Sequence, residues 1–221
     1  MNLHKLLENL TIRYPVLSSS VDDIQKAYDL LENCYIKKGK VLICGNGGSA
    51  SDADHIVGEL MKSFSINRQL SQGIKEKLRI INSERGEYIS SKLQPALPAI
   101  SLTCNGALNT AFSNDVDPNL IFAQQVLGYG NKDDILLALS TSGNSDNVIN
   151  AIITAKAVGV KTIGLTGNNG GKFNGLCDIT IRVNANTTPE IQELHLPVYH
   201  TLCTMLEQKF FEIELNHRVI K

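Results

Sequence analysis

Ser140-Thr141-Ser142-Gly143-Asn144-Ser145 sets four hydroxyls around a single glycine. An apolar run, residues 134–139, precedes it, and an amphipathic stretch carrying Val148, Ile149, Ile152, Ile153 and Ala157 follows. Hydroxyls and the free amides of a helix N-terminus can together satisfy the outer oxygens of a phosphomonoester without lysine or arginine. A plain serine-rich N-cap would explain one or two of these residues, not all of them. A second loop of the same kind, Gly45-Asn46-Gly47-Gly48-Ser49, breaks the apolar run Val41–Cys44 and opens a segment with Ala53, Ile56, Val57 and Leu60 on one face. It is neither a Walker A loop nor a G-x-G-x-x-G fingerprint, but its glycines let backbone amides approach an anion. On that segment His55 and Glu59 stand four residues apart. They share a helix face and could share a metal ion; an exposed surface pair is the plainer alternative.

The elements needed to position these loops are legible as alternating strands and helices. Leu3, Leu6, Leu7 and Leu10 predict a short helix ending before Pro15. Ser18-Ser19-Ser20 ahead of Asp23 has capping-box spacing for a second helix bearing Ile24, Ala27, Leu31, Cys34 and Tyr35. Residues 1–38 therefore read as helices that pack and carry no chemistry. After the glycine-loop helix comes a polar excursion, residues 63–95, with helical fragments but no sustained apolar face. A lid, a subunit contact and a solvated detour all fit it. Further strands are expected over residues 97–102, 134–139, 161–165 and 178–183, and a C-terminal helix of about seven turns starts at Pro189. This alternation is an α/β fold, a mostly parallel five-stranded sheet flanked by helices in three layers, read as one domain over residues 1–221. The polar loops follow strands at their C-terminal ends, where open parallel sheets bind ligands.

Composition narrows the function. A net charge of −1 gives no electrostatic footprint for nucleic acid or an anionic membrane. No run approaches the ~18 apolar residues of a membrane span, and the N-terminus does not read as a signal peptide. Five scattered cysteines with no C-x-x-C pair suit reduced thiols in the cytoplasm.

STSGNS after an apolar strand, with CGNGGS on an earlier strand–helix turn, resembles the sugar isomerase (SIS) domain. CGNGGSASDADHIVGEL, SND, STSGNSDNVI, LTG-x-x-GGK and IQELHLPVYH, in that order, resemble bacterial phosphoheptose isomerases over most of residues 39–207. The resemblance implies isomerisation of sedoheptulose 7-phosphate to D-glycero-D-manno-heptose 7-phosphate, for lipopolysaccharide or capsule heptose, by a homotetramer with interfacial active sites and bound zinc. It implies phosphate contacts from Ser140, Thr141, Ser142 and Ser145 with Ser49 nearby, and sugar contacts from Asn46, Gly47, Gly48, Asn114 and Asp115. Gln192 and Glu59 would also touch substrate. Glu59 and His200 would be catalytic, and His55, Glu59, Gln192 and His200 would hold zinc. No nucleotide cofactor is implied.

Spacing alone does not nominate Gln192 and His200. They lie eight residues apart, roughly 12 Å along a straight helix, and His195 between them would look as good. His195 is expected to be a hydrogen-bonded structural residue. Two departures stand out: the polar excursion is longer than the family's connection, and Pro197 inside the last helix should kink it. Two other readings are a non-catalytic SIS module that binds a sugar phosphate or a protein, and an isomerase for a different phosphosugar. Replication-initiator-binding relatives keep the fold without the Glu/His pair, so retention of Glu59 and His200 favours the enzyme.

Overall fold

A computed structural model describes residues 3–212. The strands β1 (Val41–Cys44), β2 (Ala99–Ser101), β3 (Ile135–Leu139), β4 (Lys161–Thr166) and β5 (Ile179–Arg182) form one parallel sheet in the order β2-β1-β3-β4-β5. β1 and β3 pair centrally, Val41 opposite Ile135 and Cys44 opposite Ala138, and every residue of both is buried. Burial on both faces explains why these strands read as unbroken apolar runs.

Helices cover both faces. On one side α1 (Leu3–Arg13), α2 (Val21–Ile36), α3 (Gly48–Met61) and α9 (Thr188–Glu207) pack on Val41, Ile43, Ile135 and Leu137. On the other, α7 (Ile121–Tyr129) and α8 (Asp146–Ala157) bury Phe122, Val126, Val148 and Ile152 against Leu42, Cys44, Leu136 and Ala138. α6 (Gly106–Asp115) follows the edge strand β2. The β1 connection leads through α3 toward β2 and the β3 connection through α8 to β4, so the strand order reverses between β1 and β3. Ligands of open parallel sheets bind at such a reversal.

Three local expectations change. Ser20 does not cap α2; its hydroxyl donates instead to the Arg182 carbonyl, 2.6 Å away, tying α2 to β5. The edge strand is only three residues long, with Leu97 bonded to the Leu60 carbonyl rather than to a strand. α9 continues as a helix through Pro197 to Glu207, and Gln208–Glu212 widens into a π turn; the end of the expected seven-turn helix lies outside the described residues.

The polar excursion folds into a helical hairpin, α4 (Gln72–Ile81) on α5 (Ser83–Lys92). Its helices cross closely at Gly86, where a Cβ would strike the Leu78 carbonyl, and Arg79 pairs with Glu87. Ile80 and Ile81 on α4 are exposed.

Candidate active site

The two loops that follow β1 and β3 flank the strand reversal. Asn46, after β1, and Asn147, in the first turn of α8, exchange reciprocal amide hydrogen bonds of 2.8 and 2.9 Å across it. The Ser140 and Ser145 hydroxyls lie 3.0 Å apart, and Ser145 precedes α8 without capping it. Its hydroxyl and the first amides of α8 are therefore available to an anion. Gly143 (φ 64°) closes the loop in a left-handed turn, and a Cβ there would run into the Gly170 carbonyl. The Lys172 amide, bonding the Gly143 carbonyl at 3.0 Å, and the Gly167 amide, bonding the Thr141 carbonyl at 3.1 Å, seat the serine loop on the loop after β4. Ser142 is exposed, Thr141 half-buried and Ser49 buried at the start of α3. Asn114 and Asp115 end α6 at the surface, where the Asn114 amide donates to Asp115 at 2.9 Å.

The second group lies between α3 and α9, which run side by side in the same direction. At the top, the Gln192 amide sits so close over Gly48 that no Cβ would fit. About two turns lower, His55 Nε2 stands 3.1 Å from Glu59 Oε1 and 3.5 Å from His200 Nε2. Glu59 is buried, and Lys62 reaches its other carboxylate oxygen at 3.4 Å. His200 is half-buried; desolvation and neighbouring His55 lower its pKa, with Glu59 opposing. The structure thus gathers His55, Glu59 and His200. It leaves Gln192 at the glycine turn.

Two imidazoles and a carboxylate are a zinc donor set. Among the described residues, however, no group of three His, Cys, Asp or Glu is placed as a metal cage. Tyr199 supplies the observation that bears on the fit: its hydroxyl lies 3.0 Å from His55 Nδ1 and 3.1 Å from Asp52 Oδ1. His55 Nε2 faces the Glu59 carboxylate, so a ring carrying its proton on Nδ1 would offer a cation two acceptors there. The residues fit zinc by their chemistry.

The sequence matches the SIS domain family over residues 11–91 and 83–167. A phosphoheptose isomerase of Aliarcobacter butzleri is 37% identical over 202 residues, 91% of this chain and 90% of that one. One from Synechocystis is 40% identical over 188 residues, covering 85% and 84%. The chain belongs to the phosphoheptose isomerase family. The solved phosphoheptose isomerase of Francisella tularensis superposes with a TM-score of 0.73 at 33% identity, covering 89% of this chain and 91% of that one. That of Neisseria gonorrhoeae gives 0.67 at 32%, covering 85% and 87%.

Four residues around this candidate site escape a reading of the sequence: Asp52, Tyr199, Asn147 and Arg68. Asp52 is one turn before His55, so helical spacing could have flagged it, whereas Tyr199 adjoins His200 and adjacent residues point apart on a helix. Burial raises the pKa of Asp52, opposed by the Tyr199 hydrogen bond, and burial with Asp52 nearby raises that of Tyr199. His195 is fully buried, but neither ring nitrogen makes a full hydrogen bond, contrary to the expectation of a satisfied residue. Burial pushes its pKa down to about 4, partly offset by the Thr166 backbone.

Proposed function

We propose that the chain catalyses the aldose–ketose isomerisation of sedoheptulose 7-phosphate to D-glycero-D-manno-heptose 7-phosphate through an enediol. The single observation that carries this reading is the meeting of Glu59 and His200 at His55, from positions 145 residues apart in the His55–His200 bond. Isomerisation needs a base for the proton beside the carbonyl and an acid for the oxygen that gains charge. Glu59 takes the proton from C1 of the ketose and returns it to C2. His200 moves the hydroxyl proton between O1 and O2. The exchange is redox-neutral, so no nucleotide cofactor takes part.

The phosphate is a remote handle. Ser140, Thr141, Ser142, Ser145 and the α8 amides hold it, with Ser49 nearby, and its binding energy positions the reacting end. Asn46, Gly47, Gly48, Asn114, Asp115 and Gln192 would hold the sugar hydroxyls. Zinc would be held by His55, Glu59 and His200, which meet within one chain, with Gln192, which lies over Gly48, able to join them only from another copy; when bound it supplies Lewis-acid polarisation of the carbonyl.

Glu59 is eleven residues beyond Gly48, about 16 Å of helix, more than an extended seven-carbon chain spans. This supports sites shared between copies in a homotetramer, the whole chain acting as one SIS unit. So does a cavity of about 480 Å³ between α1, Phe64 and α9, with His200 on its wall and the exposed Ile12 and Leu196 at its edge. Free thiols and a phosphorylated substrate suit the cytoplasm.

Proton NMR of sedoheptulose 7-phosphate with the protein in D2O tests the proposal. Aldose should appear with solvent deuterium at C2. Absence of turnover on this sugar, with turnover of another ketose phosphate in a panel, would reassign the substrate. Binding without turnover of any of them would leave a non-catalytic sugar-phosphate module.

A further inference from the structure

The Tyr199 hydroxyl has one proton and two neighbours that could take it. Asp52 Oδ1, at 3.1 Å, is a carboxylate oxygen and accepts only; His55 Nδ1, at 3.0 Å, either accepts or donates. If the phenol donated to Nδ1, its oxygen lone pairs would face the carboxylate unpaired. If it donates to Asp52, its oxygen accepts Nδ1–H, and both contacts become hydrogen bonds. Only the second arrangement satisfies these three groups, and it leaves Nε2 and Glu59 Oε1, 3.1 Å apart, as two facing acceptors that only a cation or a further proton can join. Tyr199 is 1% exposed, so water has little access to repair the first. The phenol also stacks edge-on against the His55 ring, with centroids 5.5 Å apart and planes at 75°, which restrains the ring's rotation.

We propose that Tyr199, backed by Asp52, is the positioning residue that holds His55 in its Nδ1–H form and aims its Nε2 lone pair at Glu59 and His200. Its use in catalysis rests on the isomerase reading; the proton's place on the ring does not. In the Nδ1–H form the Nε2 lone pair lies 3.1 Å from Glu59 Oε1, which makes the pocket a taker of cations. In the other tautomer Nε2–H would donate to Glu59, and a cation would have to displace that proton. Outer hydrogen bonds of this kind fix ring orientation and raise ligand basicity.

Long-range proton–nitrogen NMR of the full 15N-labelled chain, zinc-free and at alkaline pH, reads the tautomer directly. The His55 signals are assigned by their absence in His55→Gln. Wild type should show a protonated Nδ1 and a bare Nε2. Tyr199→Phe keeps the ring's packing and should move the proton toward Nε2, weaken zinc binding about 10- to 100-fold, and lower kcat with KM for the phosphosugar unchanged. Asp52→Asn, whose amide oxygen can still accept from the phenol, should fall between the two. A wild-type His55 protonated on Nε2 overturns the proposal, even if Tyr199→Phe fails to fold. So does a folded Tyr199→Phe with unchanged tautomer and zinc affinity. If the tautomer and zinc affinity shift while no ketose phosphate is turned over, the isomerase reading fails and the positioning role stands.

Discussion

Arg68 Nε donates to Glu207 Oε1 at 2.9 Å, with both side chains sealed from solvent. The same guanidinium donates to the carbonyls of Leu60 and Glu59, at 2.8 and 3.1 Å, while Glu207 also accepts the amides of Phe64, Ser65 and Ile66. One ion pair thus satisfies the last carbonyls of α3 and fixes them to the end of α9. It holds at constant separation the two helices that carry Glu59 and His200. Removing one partner of a buried pair strands the other's charge, so Arg68→Met should cost about 3–5 kcal/mol. Urea denaturation checks this; a loss below 1 kcal/mol would show that the clamp is dispensable.

Glu59→Gln keeps the side chain's shape but cannot accept the substrate proton. Turnover should fall by about 10²- to 10⁴-fold with phosphosugar binding largely kept. His200→Gln should lose a comparable factor. Because both act in one proton-transfer sequence, the double variant should be little worse than either single one. Steady-state kinetics and zinc content per chain are the measurements, and Glu59→Gln should lower the latter too. Near-normal turnover in Glu59→Gln removes Glu59 from the chemistry.

Ser142→Ala with Ser145→Ala removes two hydroxyls from the loop ahead of α8. If both bind phosphate, affinity should fall by roughly 1–3 kcal/mol for each buried bond lost. Calorimetry with a sugar phosphate gives the answer, and an unchanged Kd would move the phosphate elsewhere.

His195 predicts a pH dependence of stability. Its folded pKa is about 4, against roughly 6.5 in the unfolded chain. Between these values the unfolded state binds more protons, so stability rises with pH through that window. The contribution is whole above the unfolded pKa and is lost as pH falls toward 4, up to about 3 kcal/mol. His195→Leu has no proton to bind and should flatten that part of the curve. Parallel urea curves for the two proteins across the window would contradict it.

Light scattering should give about four times the 24.1 kDa chain mass at micromolar concentration. A monomer would exclude shared sites, leaving the space between Gly48 and Glu59 without a role in one substrate's binding.

The strands, the flanking helices and the two loops that follow β1 and β3 are legible in the residue order. Those signals are local: an apolar run such as Val41–Cys44 is a central strand wherever it goes, and hydroxyls around Gly143 sit at a strand–helix turn because the flanking periods change from strand to helix. It also put His55 and Glu59 on one face, since a four-residue separation lies within one helix. Which residues join them depends on how the helices pack. The rotation and register of α9 against α3 bring His200 and Tyr199 to His55 and leave Gln192 at Gly48, and no spacing within either helix encodes that register. The same holds for Arg68, whose place in a polar stretch suggested a solvated charge. It is buried because Glu207, 139 residues away, and the Glu59 and Leu60 carbonyls near the end of α3 offer its guanidinium hydrogen bonds that replace those of water.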